Sequence, residues 1–228
     1  MWTGIKRTLG VAPRPKAPTV TEELRELVAV LPTSTLLGHR DRALLLLGFA
    51  GCFRRSEVAS LTVTDCVLEP EGLVVILPSS KTDRFGEGYV KGVPYGSYEV
   101  TCPVRAYQAW LEEAKITEGP VFRPVNRHGT VLPKAITAQV VALVVKRTVA
   151  AARAAALKRG KLALAEHFDP KRYAGHSLRS GFLTSGAEAG VALKDLMDQA
   201  AHTRADTTLR YIKRAGVFRQ NAASKVGL

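Results

Sequence analysis

Cysteine is scarce in this chain: three in 228 residues, Cys52, Cys66 and Cys102, odd in number, far apart and without a Cys-x-x-Cys pair. That spacing argues against a disulfide framework or a cysteine zinc site, and the three read as small core hydrophobes. Also missing are a G-x-x-x-x-G-K-[ST] phosphate loop, an H-E-x-x-H helix and a G-x-S-x-G elbow. Nucleotide hydrolysis, zinc proteolysis and esterase chemistry therefore lack their signatures. No acidic cluster of the kind that holds two metal ions is evident, which disfavours metal-dependent phosphodiester cleavage, and neither a metal nor another cofactor is expected. No apolar run approaches the roughly 18 residues that span a bilayer, and no signal peptide opens the chain. A cytoplasmic protein with no membrane partner is expected. Internal repeats are absent as well.

Acidic residues are in the minority. Against 33 Lys and Arg stand 20 Asp and Glu, a formal charge of +13 with a pI near 10. Such an excess favours polyanions, and nucleic acid is the first candidate partner. An apolar share of 46% is ample for a buried core in one large domain or two small ones.

Residues 1–18 are basic and carry Pro13, Pro15 and Pro18, a composition that reads as a linker. Thr19 and Glu22 have capping-box spacing, and Leu24, Leu27, Val28 and Leu31 follow at helical intervals until Pro32. A nearly continuous apolar run predicts a buried helix from His39 to Phe53, delivering Arg54 at its end, with a short helix over residues 56–61 after it. Val67-Leu68, Leu73 to Leu77 and Tyr89 to Val93 predict three antiparallel strands, and the polar turn between the last two presents Lys81. Helices are then expected from Pro103 to Ala114, with proline in its first turn, and from about Ala135 to Leu157. Three more follow: Leu178 to Ala189, Leu193 to Ala201, and Asp206 to Ile212 with Asp206 as its cap, before a polar tail from 215. The fold class is α+β, mostly α-helical, with a small three-stranded antiparallel sheet.

The chemistry-bearing residues concentrate in residues 175–211. His176 and Arg179 are three positions apart and share a helix face; His202 and Tyr211 follow, nine positions apart, with Arg210, Lys213 and Arg214 flanking the phenol. Taken singly, each imidazole or arginine also reads as structural, and Tyr211 as a core aromatic. Arg54 sits where a buried apolar helix ends and needs an anion or a carboxylate, for which Glu57 is in place. Arg55 points about 100° away and reads as structural or as a DNA-backbone contact. Lys146 and Arg147 are either solvated charges on an amphipathic helix or a DNA-facing pair.

In this order and spacing the residues resemble the catalytic domain of the tyrosine recombinases, or phage-type integrases. That family carries an Arg in an Arg-x-Ser-Glu-like box, a Lys in a β-turn, His-x-x-Arg, a His or Trp, and a Tyr nine residues later. Here these are Arg54 in Arg54-Arg55-Ser56-Glu57, Lys81 in Ser80-Lys81-Thr82-Asp83, His176-Ser177-Leu178-Arg179, His202 and Tyr211. The resemblance runs from Thr19 onward and implies a catalytic domain over residues 19–214. It further implies that Tyr211 is the nucleophile of a 3′-phosphotyrosyl intermediate, that Arg54, Arg179 and His202 hold the phosphate, that His176 accepts the phenolic proton, and that Lys81 protonates the leaving oxygen. The cationic surroundings are expected to favour the phenolate. The implied partners are double-stranded DNA recombination sites and three further protomers in a tetramer on DNA, working through a Holliday junction. The tail over 215–228, with Val217 and Phe218, is expected to dock on a neighbour or on its own domain. Two departures stand out: Ala201 precedes His202 where the family often has Gly, and the N-terminal core-binding domain that completes the DNA clamp is not in this chain. Type IB topoisomerases resemble recombinases in an Arg, Lys, Arg, His, Tyr set and in cleavage polarity, and a non-catalytic basic DNA-binding module is the reading from a different class.

Overall fold

The computed structural model of the protein describes residues 16–77 and 88–215. Its centre is the most apolar stretch of the sequence. Helix α1 (Thr21–Ala29) leads to α2 (Leu36–Ala50), capped by Thr35, whose hydroxyl accepts from the Gly38 amide. Ala43 to Leu47 are buried on every side, as a helix without a polar face requires. Around α2 pack α1, the short α3 (Arg55–Ser60), α4 (Pro103–Glu113), α5 (Ala138–Lys158) and α7 (Ser177–Glu188). The remaining helices are α6 (Leu162–His167), α8 (Leu193–Ala200) and α9 (Ala205–Ala215). Strands β1 (Cys66–Glu69), β2 (Gly72–Leu77) and β3 (Tyr89–Pro94) form an antiparallel sheet in that order. Leu73, Val75, Leu77 and Val93 face inward, and Ile76 and Val90 face solvent.

The main core joins Leu44, Leu45 and Leu47 to Trp110, Phe122, Val141, Val145 and Tyr173. Each such side chain contributes about 1.5–3 kcal/mol by leaving water. Trp110 keeps its polar atom satisfied by donating to the Val121 carbonyl at 2.8 Å. A smaller cluster of Cys52, Leu183, Leu196 and Ala200 lies apart from it, with Tyr211 and Ile212 packed on its edge.

Several local expectations change in three dimensions. Thr19 does not cap α1, whose cap is Val20 without a side-chain bond. Instead the Thr19 amide donates to the Ser177 carbonyl at 2.9 Å, and the chain passes so close to α7 that a Cβ on Gly181 would sit 1.7 Å from the Thr19 carbonyl oxygen. The end of the stretch read as linker also packs down: the Ala17 amide donates to the Arg172 carbonyl and Lys16 Nζ to that of Lys171, both at 2.7 Å. Helix α2 stops at Ala50, three residues before the expected Phe53, because Gly51 and a left-handed Cys52 turn the chain. Asp206 falls inside the first turn of α9 rather than at its cap. Cys102 does more than fill space, its sulfur accepting the Arg105 and Gly96 amides at the start of α4. Helix α6 has no counterpart in the sequence reading. The remainder of the linker and the tail with Val217 and Phe218 lie outside the described residues.

Candidate active site

The first half of the site grows from the end of α2. Arg54 is not the last residue of that helix; it is the N-cap of α3. Its amide donates to Glu57 Oε2 at 2.8 Å and its Nη1 to Glu57 Oε1 at 2.6 Å, so one buried carboxylate holds both ends of the residue. Burial alone would raise the Glu57 pKa, but the two Arg54 bonds and the nearby Lys91 outweigh it and hold the carboxyl below its ordinary value. Lys91 lies beneath this loop, 2% exposed, donating to the Gly51 carbonyl at 3.0 Å with its ammonium 4.9 Å from the Phe53 ring centre. Burial pushes its pKa down to about 8, against the pull of Glu57. The sequence reading missed Lys91, although its place between Tyr89 and Val93 on alternate positions of β3 signals an inward side chain. Lys81 lies outside the described residues.

The second half is built on α7, α8 and α9. His176 immediately precedes α7 and Arg179 stands in its first turn. Arg179 is 2% exposed; its Nη1 donates to the Cys52 carbonyl at 2.7 Å and its Nη2 to that of Ala200. One guanidinium thereby ties the end of α2 to the end of α8 and still has donors for the cleft it lines. Helix α8 closes in a left-handed turn at Ala201 (φ 49°), with the Ala201 amide on the Asp198 carbonyl and the His202 amide on that of Met197, both at 2.9 Å. This is the position where the family often has Gly, and the backbone conformation gives the reason. The turn delivers His202, whose Nδ1 lies 2.8 Å from Thr208 Oγ1. Burial first, then Arg179, Arg54, Lys91 and His176, lower the His202 pKa to about 4, so this imidazole is neutral at pH 7.

Tyr211, on α9, lies with its Oη 2.9 Å from His176 Nε2. Burial raises the phenol's pKa more than Arg179 and Arg210 lower it. The cations do favour the phenolate, as expected, but burial outweighs them in the resting pocket, so a phenol used as a nucleophile here would need a proton acceptor. His176 suits that role: loss of solvent, then Arg179 and Arg54, keep its pKa below the ordinary value and its ring neutral.

Arg54, His176, Arg179, His202 and Tyr211 line one cleft of about 380 Å³. Thr203, Arg204 and Thr207 complete the lining and were not singled out from the sequence. Arg204 is exposed and bonded to Asp206 at 3.3 Å. Of the residues expected to touch DNA, Arg55 is exposed, its stem packed so near Gly175 that a Cβ there would lie 3.2 Å from Arg55 Cβ. Lys146 is exposed on α5, whereas Arg147 makes an ion pair with the buried Asp41, which Arg40 also holds. Among the described residues no group of three His, Cys, Asp or Glu could hold a metal ion, and no helix is long and apolar enough to cross a membrane.

A model of the phage integrase family matches residues 19–216. The chain is 35% identical over 224 residues to the integrase/recombinase XerD homolog of Selenomonas ruminantium, covering 98% of this chain and 62% of that protein. It is 28% identical over 202 residues to tyrosine recombinase XerC of Xanthomonas campestris pv. campestris, covering 88% and 52%. The chain thus spans about half to three-fifths of the length of these relatives. In fold it is similar to XerH site-specific recombinase bound to its difH substrate, with TM-score 0.60, 18% identity and coverage of 88% and 52%. The Tn1549 transposon integrase in complex with transposon right end DNA gives TM-score 0.56 at 20% identity, covering 91% and 67%.

Proposed function

Since the chain belongs to the phage integrase family of tyrosine recombinases, we propose that it is the catalytic domain of a site-specific DNA recombinase that breaks and rejoins strands through a covalent bond to Tyr211. The observation that carries this reading is the 2.9 Å approach of His176 Nε2 to Tyr211 Oη in a cleft shared with Arg54 and Arg179. Phosphoryl transfer asks a protein mainly to position the reacting groups and to neutralise charge on the non-bridging oxygens. Arginine suits that task because its planar fork stays charged and makes paired bonds to phosphate.

In the proposed reaction His176 takes the phenolic proton as Tyr211 Oη attacks phosphorus. The bond to the 5′ oxygen breaks, a 3′-phosphotyrosyl link forms, and Lys81 supplies the proton that makes the leaving group a 5′-hydroxyl; the role of Lys81 rests on the family resemblance alone. Arg54, Arg179 and His202 hold the phosphate oxygens, each such donor contributing on the order of 3 kcal/mol to the transition state. Attack by a 5′-hydroxyl of the partner strand reverses these steps. The phosphotyrosyl bond conserves the energy of the phosphodiester, so the scheme needs no ATP, and cationic side chains take the place of a metal ion. Exposed Arg55 and Lys146 would contact the DNA backbone, with Arg147 contributing only if it leaves Asp41. The resemblance also implies four protomers on two paired DNA sites, with a core-binding domain completing the clamp.

A nicked suicide substrate tests the chemistry. Wild-type protein is expected to trap a covalent adduct on denaturing gels, and Tyr211→Phe none, at unchanged DNA affinity. An adduct persisting in Tyr211→Phe sinks the assignment. Two half-sites in one reaction separate recombination, which yields recombinant joints, from the relaxation alone that a topoisomerase gives.

A further inference from the structure

A neutral imidazole carries one N–H, so His202 can offer the cleft either a donor or an acceptor, and its tautomer decides which. Its Nδ1 is taken by Thr208 Oγ1 at 2.8 Å, which leaves Nε2 as the nitrogen for the cleft. Two arrangements satisfy that contact. If Nδ1 carries the proton it donates to Oγ1, and the hydroxyl hydrogen of Thr208 needs another acceptor. If the hydroxyl donates to Nδ1, both groups are satisfied at once and Nε2 carries the N–H.

Thr208 has 0% exposure, so bulk water is not an alternative acceptor. Two other buried helical hydroxyls turn back on their own helix: Thr148 Oγ1 donates to the Val144 carbonyl at 2.9 Å and Ser180 Oγ to that of His176 at 3.0 Å. Among the described residues Thr208 makes no such back-bond, and its hydroxyl is committed to the imidazole. Leaving a buried hydroxyl without an acceptor costs about 1–3 kcal/mol, enough to set one tautomer well above the other.

We propose that Thr208 is a positioning residue which donates its hydroxyl proton to His202 Nδ1, holding the imidazole in the Nε2–H tautomer so that it presents a hydrogen-bond donor to a phosphate oxygen. The phosphate part of this statement rests on the function proposed above; the tautomer does not. The cations around His202 would be poor company for an imidazolium, and the threonine supplies a donor without adding charge. Thr208 lies one helical turn before Tyr211, so the same helix presents the nucleophile and orients the donor.

Nitrogen-15 NMR of histidine-labelled 228-residue protein, free of DNA at pH 7.5, reads the tautomer directly. A protonated Nε2 with an unprotonated Nδ1 at His202 is expected; an Nδ1–H tautomer or a fast-exchanging mixture overturns the proposal. In single-turnover cleavage Thr208→Val should be slower by about 10- to 100-fold at unchanged DNA affinity, with Thr208→Ser recovering most of the rate. The loss should disappear in a His202→Ala background, where the threonine has nothing to orient. Wild-type rates in a folded Thr208→Val protein, or an equal loss with and without His202, overturn it. A chain with the expected tautomer that forms no adduct at all would count against the proposed reaction, not against the tautomer.

Discussion

The two arginines of the cleft do the same kind of work by opposite means. Arg54 sits in a loop at 25% side-chain exposure, and a carboxylate, Glu57, grips it at backbone and side chain. Arg179 is buried in the first turn of α7 and is gripped by the carbonyls of Cys52 and Ala200. A carboxylate neutralises the guanidinium it orients; a carbonyl orients without neutralising. The half of the cleft around Arg179 therefore keeps more unspent positive charge, and after burial, the largest cause, Arg179 ranks ahead of Arg54 in lowering the pKa values of His176 and His202. Arg179 is also a structural tie between two helix ends.

That contrast can be broken by replacing each arginine in turn. Arg179→Ala is expected to lose both adduct formation and roughly 3–5 kcal/mol of stability, since two buried carbonyls lose their donors and a cavity opens. Arg54→Ala should lose the adduct at a smaller cost, on the order of 1–2 kcal/mol. Urea unfolding beside the adduct assay measures both, and a larger stability loss in Arg54→Ala would reverse the comparison.

Lys91 sharpens it further, because the first half of the cleft rests on a buried cation that titrates. Its pKa falls from 10.5 in the unfolded chain to about 8 in the fold, so between those values the unfolded chain binds a proton the native state has released. Stability contributed at this site then rises with pH across the window, by up to about 3 kcal/mol, and below pH 8 the burial penalty is fully present. Lys91→Met lacks that rise. The stability difference, wild type minus variant, should climb between pH 8 and 10.5 while other titrations cancel; a flat difference would show that Lys91 does not carry a depressed pKa.

The smallest expected effect tests the turn beneath His202. A left-handed conformation costs a residue with a Cβ about 1–2 kcal/mol, partly offset by the greater backbone freedom of glycine in the unfolded chain. Ala201→Gly should gain about 0.5–1 kcal/mol, read as a higher melting temperature. A loss would mean that the turn relaxes away from φ 49°.

Much of the fold was legible. The three strands and most of the helices lie near where alternation, helical spacing and Pro103 put them. Local caps were less so: Thr19 has the right neighbours for a capping box, but its amide finds Ser177, a residue 158 positions away. Lys91 was overlooked for a similar reason. Its position on β3 announces an inward side chain, yet nothing nearby in the chain reveals that the Gly51 carbonyl and Glu57 wait there to receive it.

By itself the sequence determined the family and the ordered set of reactive side chains, because motif spacing and hydrophobic period are properties of neighbouring residues. The tertiary structure decided what those side chains are like: which carbonyls bind Arg179, why the Tyr211 phenol stays protonated, and which nitrogen of His202 Thr208 leaves for the cleft. Those properties depend on burial and on charges and donors brought together from distant segments. Cys52 and Arg179 are 127 positions apart in the chain and 2.7 Å apart in the fold.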